Sequence, residues 1–365
     1  MTDPIAWWER LGRPFPRLPR WPSAALLALL GLLMAWSAFA VAPVDAEETA
    51  RVESSAKGSP GDLALYTRIS ERVAAGEDYY AAALAEQRAN NYPVSPFFTV
   101  RLPTLAWLHK SIGMNGVRLL EALLLLGCVS GLVVRLPQSL GLAERAGAAT
   151  MMALGGAAVA VPQAGVIHEV LAGLLLTLAF VLYREDRWWP SLLSAGLALA
   201  VRELALPFVL LWLAFALVQR RWREVAAVAA LLAIFIIGLY LHYLAVEAQR
   251  LPGDPVSQGW DAMAGLALPL MAISRLTALL VLPVIVAGPL AILPLVGWMG
   301  LGGRMGLFAS LWFAGMFTAI ALFARPENFY WVQLVLPTYF AGIALAPRAL
   351  GEISGNLLRG REMHP

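Results

Sequence analysis

An all-α polytopic membrane protein is the fold class that this sequence predicts, on three observations. Of its 365 residues, 59% are hydrophobic and only 14% charged, with a mean hydropathy of +0.68; soluble domains carry about 25% charged residues. The apolar residues come in long blocks, and a helix crosses a hydrocarbon core with roughly 20 of them. The arginines collect between the blocks, as in loops that face the cytoplasm. A membrane β-barrel would show short alternating segments instead.

The apolar blocks lie near 22–42, 114–134, 146–161, 169–183, 189–201, 204–219, 224–244, 277–300, 306–324 and 329–346. They predict about ten transmembrane helices in a single integral-membrane domain. The first, 22–42, follows Arg10, Arg13, Arg17 and Arg20. The "AFA" triplet at its end and the "VDA" triplet just after it resemble signal-peptidase sites, but the long basic leader and polytopic remainder favour a retained helix. A large outer loop, 43–113, follows, then the remaining helices over 114–346 and a cytoplasmic tail over 347–365. The arginines near 135–145, 184–187, 220–223, 304 and 348 sort with the N-terminal ones. Placing that set inside requires an even number of crossings and both termini in the cytoplasm. It also requires 96–112 and 261–276 to stop short of spanning.

Other functions are limited by composition. The net charge of +3 comes almost wholly from arginine, Lys57 and Lys110 being the only lysines. Loop anchors account for the basic balance, and no nucleic-acid partner is expected. Cys128 is the only cysteine, so neither an intrachain disulfide nor a cysteine metal site is expected. His109, His168, His242 and His364 lack the i,i+4 spacing of a zinc helix.

The alternation gathers the unusual polar residues on the outer face, where ionisable groups near an apolar core mark candidate sites. After Pro60-Gly61, Leu65, Ile69 and Val73 recur every four residues beside Tyr66. They make the apolar stripe of a surface helix, with Thr67, Arg68, Glu71 and Arg72 opposite and Gly76 at its end. A second surface helix is expected near 79–88, stopped by Pro93. Asp62, at the start of the first, reads either as an N-cap or as a general base at the membrane surface. His168-Glu169 opens a later helix and reads as a cap or as a substrate-positioning pair. Arg202-Glu203 interrupts an apolar hairpin and reads as a structural ion pair or, through Arg202, as a phosphate holder. Arg325, with Glu327, Asn328 and Tyr330, repeats that arrangement. Arg118 and Glu121 read as an i,i+3 pair. Trp188, Trp189, Trp222, Tyr240, Tyr330 and Trp331 read as an interfacial belt, and Asp254 and Asp261 as solvated loop acids.

In sequence, "GDLALY…AAGEDYY", "YPVSPFFTVRLPTLAWL", "GMNGVRLLEALLLL", the stretch from "HEVLAGLLL" through "AVRELALPFVLL", and "RPENFYWVQLVLP" resemble the GT-C superfamily of integral-membrane glycosyltransferases. The likeness spans most of 20–346 and lies in the placement of features. It implies a GT-C-like fold with surface helices in a first periplasmic loop, in a bacterial inner membrane. It also implies sugar transfer from a polyprenyl-phosphate donor to a glycan, lipid or protein acceptor. Asp62 would be the catalytic base, His168, Glu169 and Tyr66 substrate contacts, and Arg202 and Arg325 holders of the donor phosphate. The donor lipid is the cosubstrate, and no metal or other cofactor is required. Two alternatives stand beside this: a transporter or lipid flippase, and a non-catalytic subunit of an envelope-glycan assembly complex. A transporter commonly shows two similar halves, and no internal repeat is evident.

Overall fold

The computed structural model describes residues 3–55 and 61–359. Lys57, Pro60, His364 and the end of the 347–365 tail lie outside the described residues. Every regular element among those described is helical. A short α1 (Pro4–Leu11) is capped by Asp3, whose Oδ1 accepts the Ile5 and Ala6 N–H groups. There follow α2 (Arg20–Ser55), α3 (Asp62–Ala74), α4 (Tyr79–Ala89), α5 (Thr104–Arg135) and α6 (Leu142–Gly155). The middle of the chain forms α7 (His168–Leu182), α8 (Trp189–Val201), α9 (Leu206–Val218) and α10 (Trp222–Glu247). The last elements are α11 (Ala267–Leu276), α12 (Val284–Leu290), α13 (Leu293–Leu301), α14 (Gly303–Phe323), α15 (Leu336–Ala341) and α16 (Ala346–Arg359).

The expectation of about ten spans is corrected. Among the described residues, five stretches are long and apolar enough to cross a membrane: Arg20–Arg51, Phe97–Arg135, Trp222–Glu247, Val284–Leu301 and Gly303–Phe323. The apolar blocks 146–161, 169–183, 189–201 and 204–219 became α6 to α9, of 14, 15, 13 and 13 residues. At 1.5 Å per residue such helices reach only about 20 Å, against a core of about 30 Å. Helix α7 is apolar for a different reason, being buried in protein along almost its whole length. Hydropathy alone does not separate burial in protein from exposure to lipid. The block 329–346 is broken into a 3₁₀ stretch Pro326–Leu334, α15 and a further 3₁₀ turn Gly342–Ala344.

Other boundaries moved as well. Helix α2 continues past 42, through Pro43 and both signal-like triplets, to Ser55. The stretch 96–112 is not held apart from the second span, because α5 begins at Thr104. At Gly113 the backbone adopts φ 72, ψ 168 and the helix turns before running on to Arg135; only glycine takes that conformation without strain. Helix α11 covers most of 261–276 and is buried throughout most of its length without spanning.

The two ends of the bundle differ. At one end Arg13 meets Glu352, Asn356 donates to the Phe15 carbonyl, Arg348 meets Glu144, and Arg304 and Arg221 both meet Glu185. The described parts of both terminal segments therefore lie together. Helices α7 and α14 each run from this end to the other, where Asp62, Glu169, Arg202 and Arg325 lie.

A close approach fixes that second end. A methyl group on Gly173 of α7 would stand 2.2 Å from the Gln333 carbonyl oxygen, in the 3₁₀ stretch that carries Tyr330. Gly315 on α14 faces open space. Gly173→Ala is therefore expected to cost about 1–3 kcal/mol by overpacking, seen as a lowered melting temperature in detergent. Gly315→Ala should leave the melting temperature unchanged or slightly raised, because alanine favours the helix.

Candidate active site

The two helices that follow α2 are built by the apolar stripe of α3. Leu65, Ile69 and Val73 of α3 are buried, sealed against α4 and α5. On its polar side Arg68 and Arg72 each bond Glu86 of α4 at 2.8 Å, and Arg72 also grips Glu77. Helix α4 is tied in turn to the loop after α10: Arg88 Nε donates to Asp254 Oδ1 at 2.6 Å and Nη2 to Oδ2 at 3.0 Å. That bond holds the Asp254 carboxyl below its ordinary value. Asp254 is thus a buried, paired acid rather than a solvated one, while Asp261 is exposed.

The capping role read for Asp62 is also corrected. Gly61 is the N-cap of α3, without a side-chain capping bond, and Asp62 is the first helical residue. Its carboxylate instead accepts the Tyr330 hydroxyl at 3.2 Å and shares the chamber wall with Tyr92. Asp62, Tyr66, Tyr92, Arg101, Arg325 and Tyr330 line a polar chamber of about 340 Å³, closed on other sides by Gln87, Gln258 and Asn328. Burial pushes the Tyr66, Tyr92 and Tyr330 phenols up, and the Asp62 carboxylate adds to the effect. All three therefore stay neutral, with hydroxyl protons to donate.

Arg101 stands at the centre, and the sequence reading gave it no role. Its Nε donates to the Tyr66 hydroxyl at 3.0 Å and its Nη2 to the Tyr330 hydroxyl at 3.2 Å. Nη2 also lies 3.8 Å from Glu169 Oε1. The available signal was a lone arginine in the apolar run "FFTVRLPTLAWL", a cation placed where one is costly.

Behind the chamber lies a buried ion cluster. Arg202, with 1% of its side chain exposed, donates through Nε to Glu169 Oε1 at 2.6 Å and through Nη1 to Glu203. His168 is buried and packs edge-on against Tyr66, ring centres 5.3 Å apart. Neither His168 nor Glu169 lines the chamber; both form the layer that positions Tyr66 and Arg101. Arg325 lines the chamber and donates to the Gly259 carbonyl at 3.0 Å and to Gln258 Oε1 at 2.7 Å. Arg202 lines a different cavity, so the chamber does not receive both arginines read as phosphate holders.

That second cavity, about 460 Å³, is a cleft between α9, α10 and α14 with walls from Pro207, Phe235, Leu239 and Phe323. Arg101, Arg202 and Glu203 supply its charges. The chamber and the cleft share Phe98, Arg101, Trp260 and Trp331. A polar space thus meets an apolar one at a guanidinium.

Two further readings change. Trp331 is buried in the wall between the two cavities and Tyr330 belongs to the site, whereas Trp189, Trp222 and Tyr240 are exposed, as a belt requires. Arg118 and Glu121 form no ion pair; both Glu121 oxygens are buried with no hydrogen-bond partner. His109 and His242 are satisfied structural histidines, bonded to Ser70 and the Gly165 carbonyl, and to Tyr80 and the Val100 carbonyl.

No family model matches this chain, and no curated protein or solved structure is significantly similar to it.

Removing one partner of a buried charge pair strands the other, at a cost of about 3–5 kcal/mol. Glu169→Ala is therefore expected to lower the melting temperature in detergent clearly more than Arg325→Gln, whose partners are neutral loop groups.

Proposed function

We propose that this protein is an integral-membrane glycosyltransferase, with the chemistry that its resemblance to GT-C enzymes implies. It moves a sugar from a polyprenyl-phosphate donor to an acceptor hydroxyl, with Asp62 as general base. The observation that carries this reading is the junction at Arg101 between a polar chamber and an apolar cleft. An amphipathic donor needs both spaces at once: the cleft suits its isoprenoid tail and the chamber its sugar. Amide side chains (Gln87, Gln258, Asn328) match sugar hydroxyls, and Trp260 offers a ring face.

The chemistry is a single displacement. Asp62 takes the proton from the acceptor hydroxyl, and that oxygen attacks the anomeric carbon. The bond from that carbon to the phosphate oxygen breaks, and its electron pair leaves with the lipid phosphate. Attack from the face opposite the leaving group inverts the anomeric centre, as in inverting glycosidases. A base must stand within about 3 Å of the proton it takes. Tyr330 holds the Asp62 carboxylate at the chamber wall. The reading puts the arginine-rich end in the cytoplasm, as arginine-rich loops require, and the chamber at the periplasmic face of a bacterial inner membrane.

A positioned general base contributes about 10²- to 10⁴-fold to rate. Asp62→Asn should slow sugar transfer from a polyprenyl-phosphate donor by about that factor while leaving donor binding in place. A wild-type rate in that variant removes Asp62 as the base. If the wild-type protein transfers no sugar from any lipid-linked donor, the transferase reading fails.

A further inference from the structure

The arginine-rich end of the bundle holds a cavity that the transferase reading leaves unused. It lies between α7, α9 and α14 and measures about 50 Å³. Phe180, Phe208, Trp212, Phe215 and Phe308 form its apolar walls, and Arg135, Tyr183 and Arg304 supply its polar groups. The rings are locked against one another. Phe308 meets Phe208 and Phe215 edge to face, ring centres 5.1 Å apart in both pairs, and Tyr183 meets Trp212 at 5.5 Å. The space is therefore preformed.

Two guanidiniums line it, and among the described lining residues there is no carboxylate. The acids of this end meet arginines outside the lining. Glu185 pairs with Arg304 and Arg221, Glu224 with Arg221, and Asp186 with Arg184, while Glu9 is attracted to Arg304 and Arg221. Arg304 is held through Nη1 and Nη2, by Glu185, Gln219 and the Tyr183 hydroxyl.

Arg135 is different. It is partly buried, and among the described residues it has no hydrogen bond or ion pair. Its Nε is shut in without a partner, while its terminal nitrogens stay accessible. Its charged neighbours include the cations Arg184 and Arg304, and Asp186, which Arg184 already meets at 3.6 Å. A partly buried cation in such company is costly until an anion joins it.

Position and size identify that anion. Arg135 is the last residue of the stretch Phe97–Arg135, and Arg304 the second of Gly303–Phe323, both long and apolar enough to cross a membrane. Arginines at span ends lie at the level of the lipid headgroups, and basic pockets between helices at that level take phosphate headgroups. One water needs about 10–15 Å³ by this measure, so the cavity has room for about three to five. That is the space of one phosphate group and well short of a sugar. The planar fork of arginine suits phosphate oxygens, and the ring walls adjoin the apolar part of a lipid.

We infer that Arg135 and Arg304 form a binding site for the phosphate of an anionic membrane phospholipid, at the end of the bundle opposite the chamber. Nothing in this site depends on the transferase reading.

The test is calorimetric titration of the full-length protein in a nonionic detergent with three probes: a short-chain phosphatidylglycerol, the phosphatidylcholine of equal chains, and inorganic phosphate. Phosphatidylglycerol should bind at least about tenfold more tightly than the other two, as one charge-assisted contact implies. Arg135→Gln should weaken it by about tenfold or more. The melting temperature of the lipid-free variant should stay unchanged, because Arg135 has no protein partner to strand. Ala179→Val narrows the cavity, keeps every arginine and should weaken the lipid too, and it serves as the test should Arg135→Gln not fold. Arg223→Gln removes an exposed charge at the same end, outside the cavity lining, and should leave the affinity at its wild-type value. Phosphatidylcholine bound as tightly as phosphatidylglycerol, or lipid affinity unchanged in both cavity variants, overturns the site. Arg223→Gln as damaging as Arg135→Gln marks diffuse attraction to a basic surface and overturns it as well. Inorganic phosphate bound as tightly as the lipid marks a free-anion site and overturns the lipid assignment.

Discussion

The end of the bundle that carries the chamber is organised around one buried carboxylate, that of Glu169. It stands in the first turn of α7, inside apolar surroundings where an unpaired charge is prohibitively costly. Its contacts with Arg202 and Arg101 pull in the tip of the α8–α9 hairpin and the segment leading into α5. Arg101 in turn orients the Tyr66 hydroxyl on α3 and the Tyr330 hydroxyl before α15, and Tyr330 reaches Asp62. Parts of the chain separated by up to 268 positions are thus held by a single electrostatic requirement. Burying a charge adds little stability on balance, but it leaves few other arrangements open.

Of the two arginines read first as phosphate holders, Arg202 satisfies two carboxylates, whereas Arg325 bonds only neutral groups. A guanidinium that satisfies two carboxylates is structural, however close it lies to a cleft. Arg101 bonds two neutral phenols and also lies 3.8 Å from Glu169, so its charge is only partly met. Neutral phenols are in turn a product of burial, which makes the tyrosines poor acids and dependable donors. The chamber combines a fixed carboxylate with hydroxyls that retain their protons, a pairing suited to handling a polyol.

Much of the local structure was legible in the sequence. The four-residue repeat of Leu65, Ile69 and Val73 gave α3 its buried face, Gly76 ended it, and the charged tip at Arg202-Glu203 fell between two helices. These are short-range signals, set by periodicity and backbone chemistry. Span number was not legible, because the apolar character of α7 reflects protein packing and that of α10 reflects an exposed surface. Asp62, Tyr66 and Arg325, singled out because charged or aromatic groups near an apolar boundary were expected on one face, all line the chamber. Arg101 and Trp331 were missed because their importance comes from which cavities they divide, and no local pattern encodes that. Asp254 was misread for a similar reason: its partner, Arg88, is 166 positions away.

Helix α10 is packed mainly on α9 and more lightly on α8, and no comparable packing joins it to α14 across the cleft. A second apolar cavity, of about 530 Å³, runs along its other flank against α5 and α8, and the two cavities share Phe235 and Leu239. A trough with so loosely held a side wall is a poor ruler. It sets no end-stop for a hydrocarbon chain and registers neither its length nor its degree of saturation. On the proposed reading, recognition of a lipid would then be written in the few ångströms around the headgroup, and the tail would serve as an address for the bilayer alone.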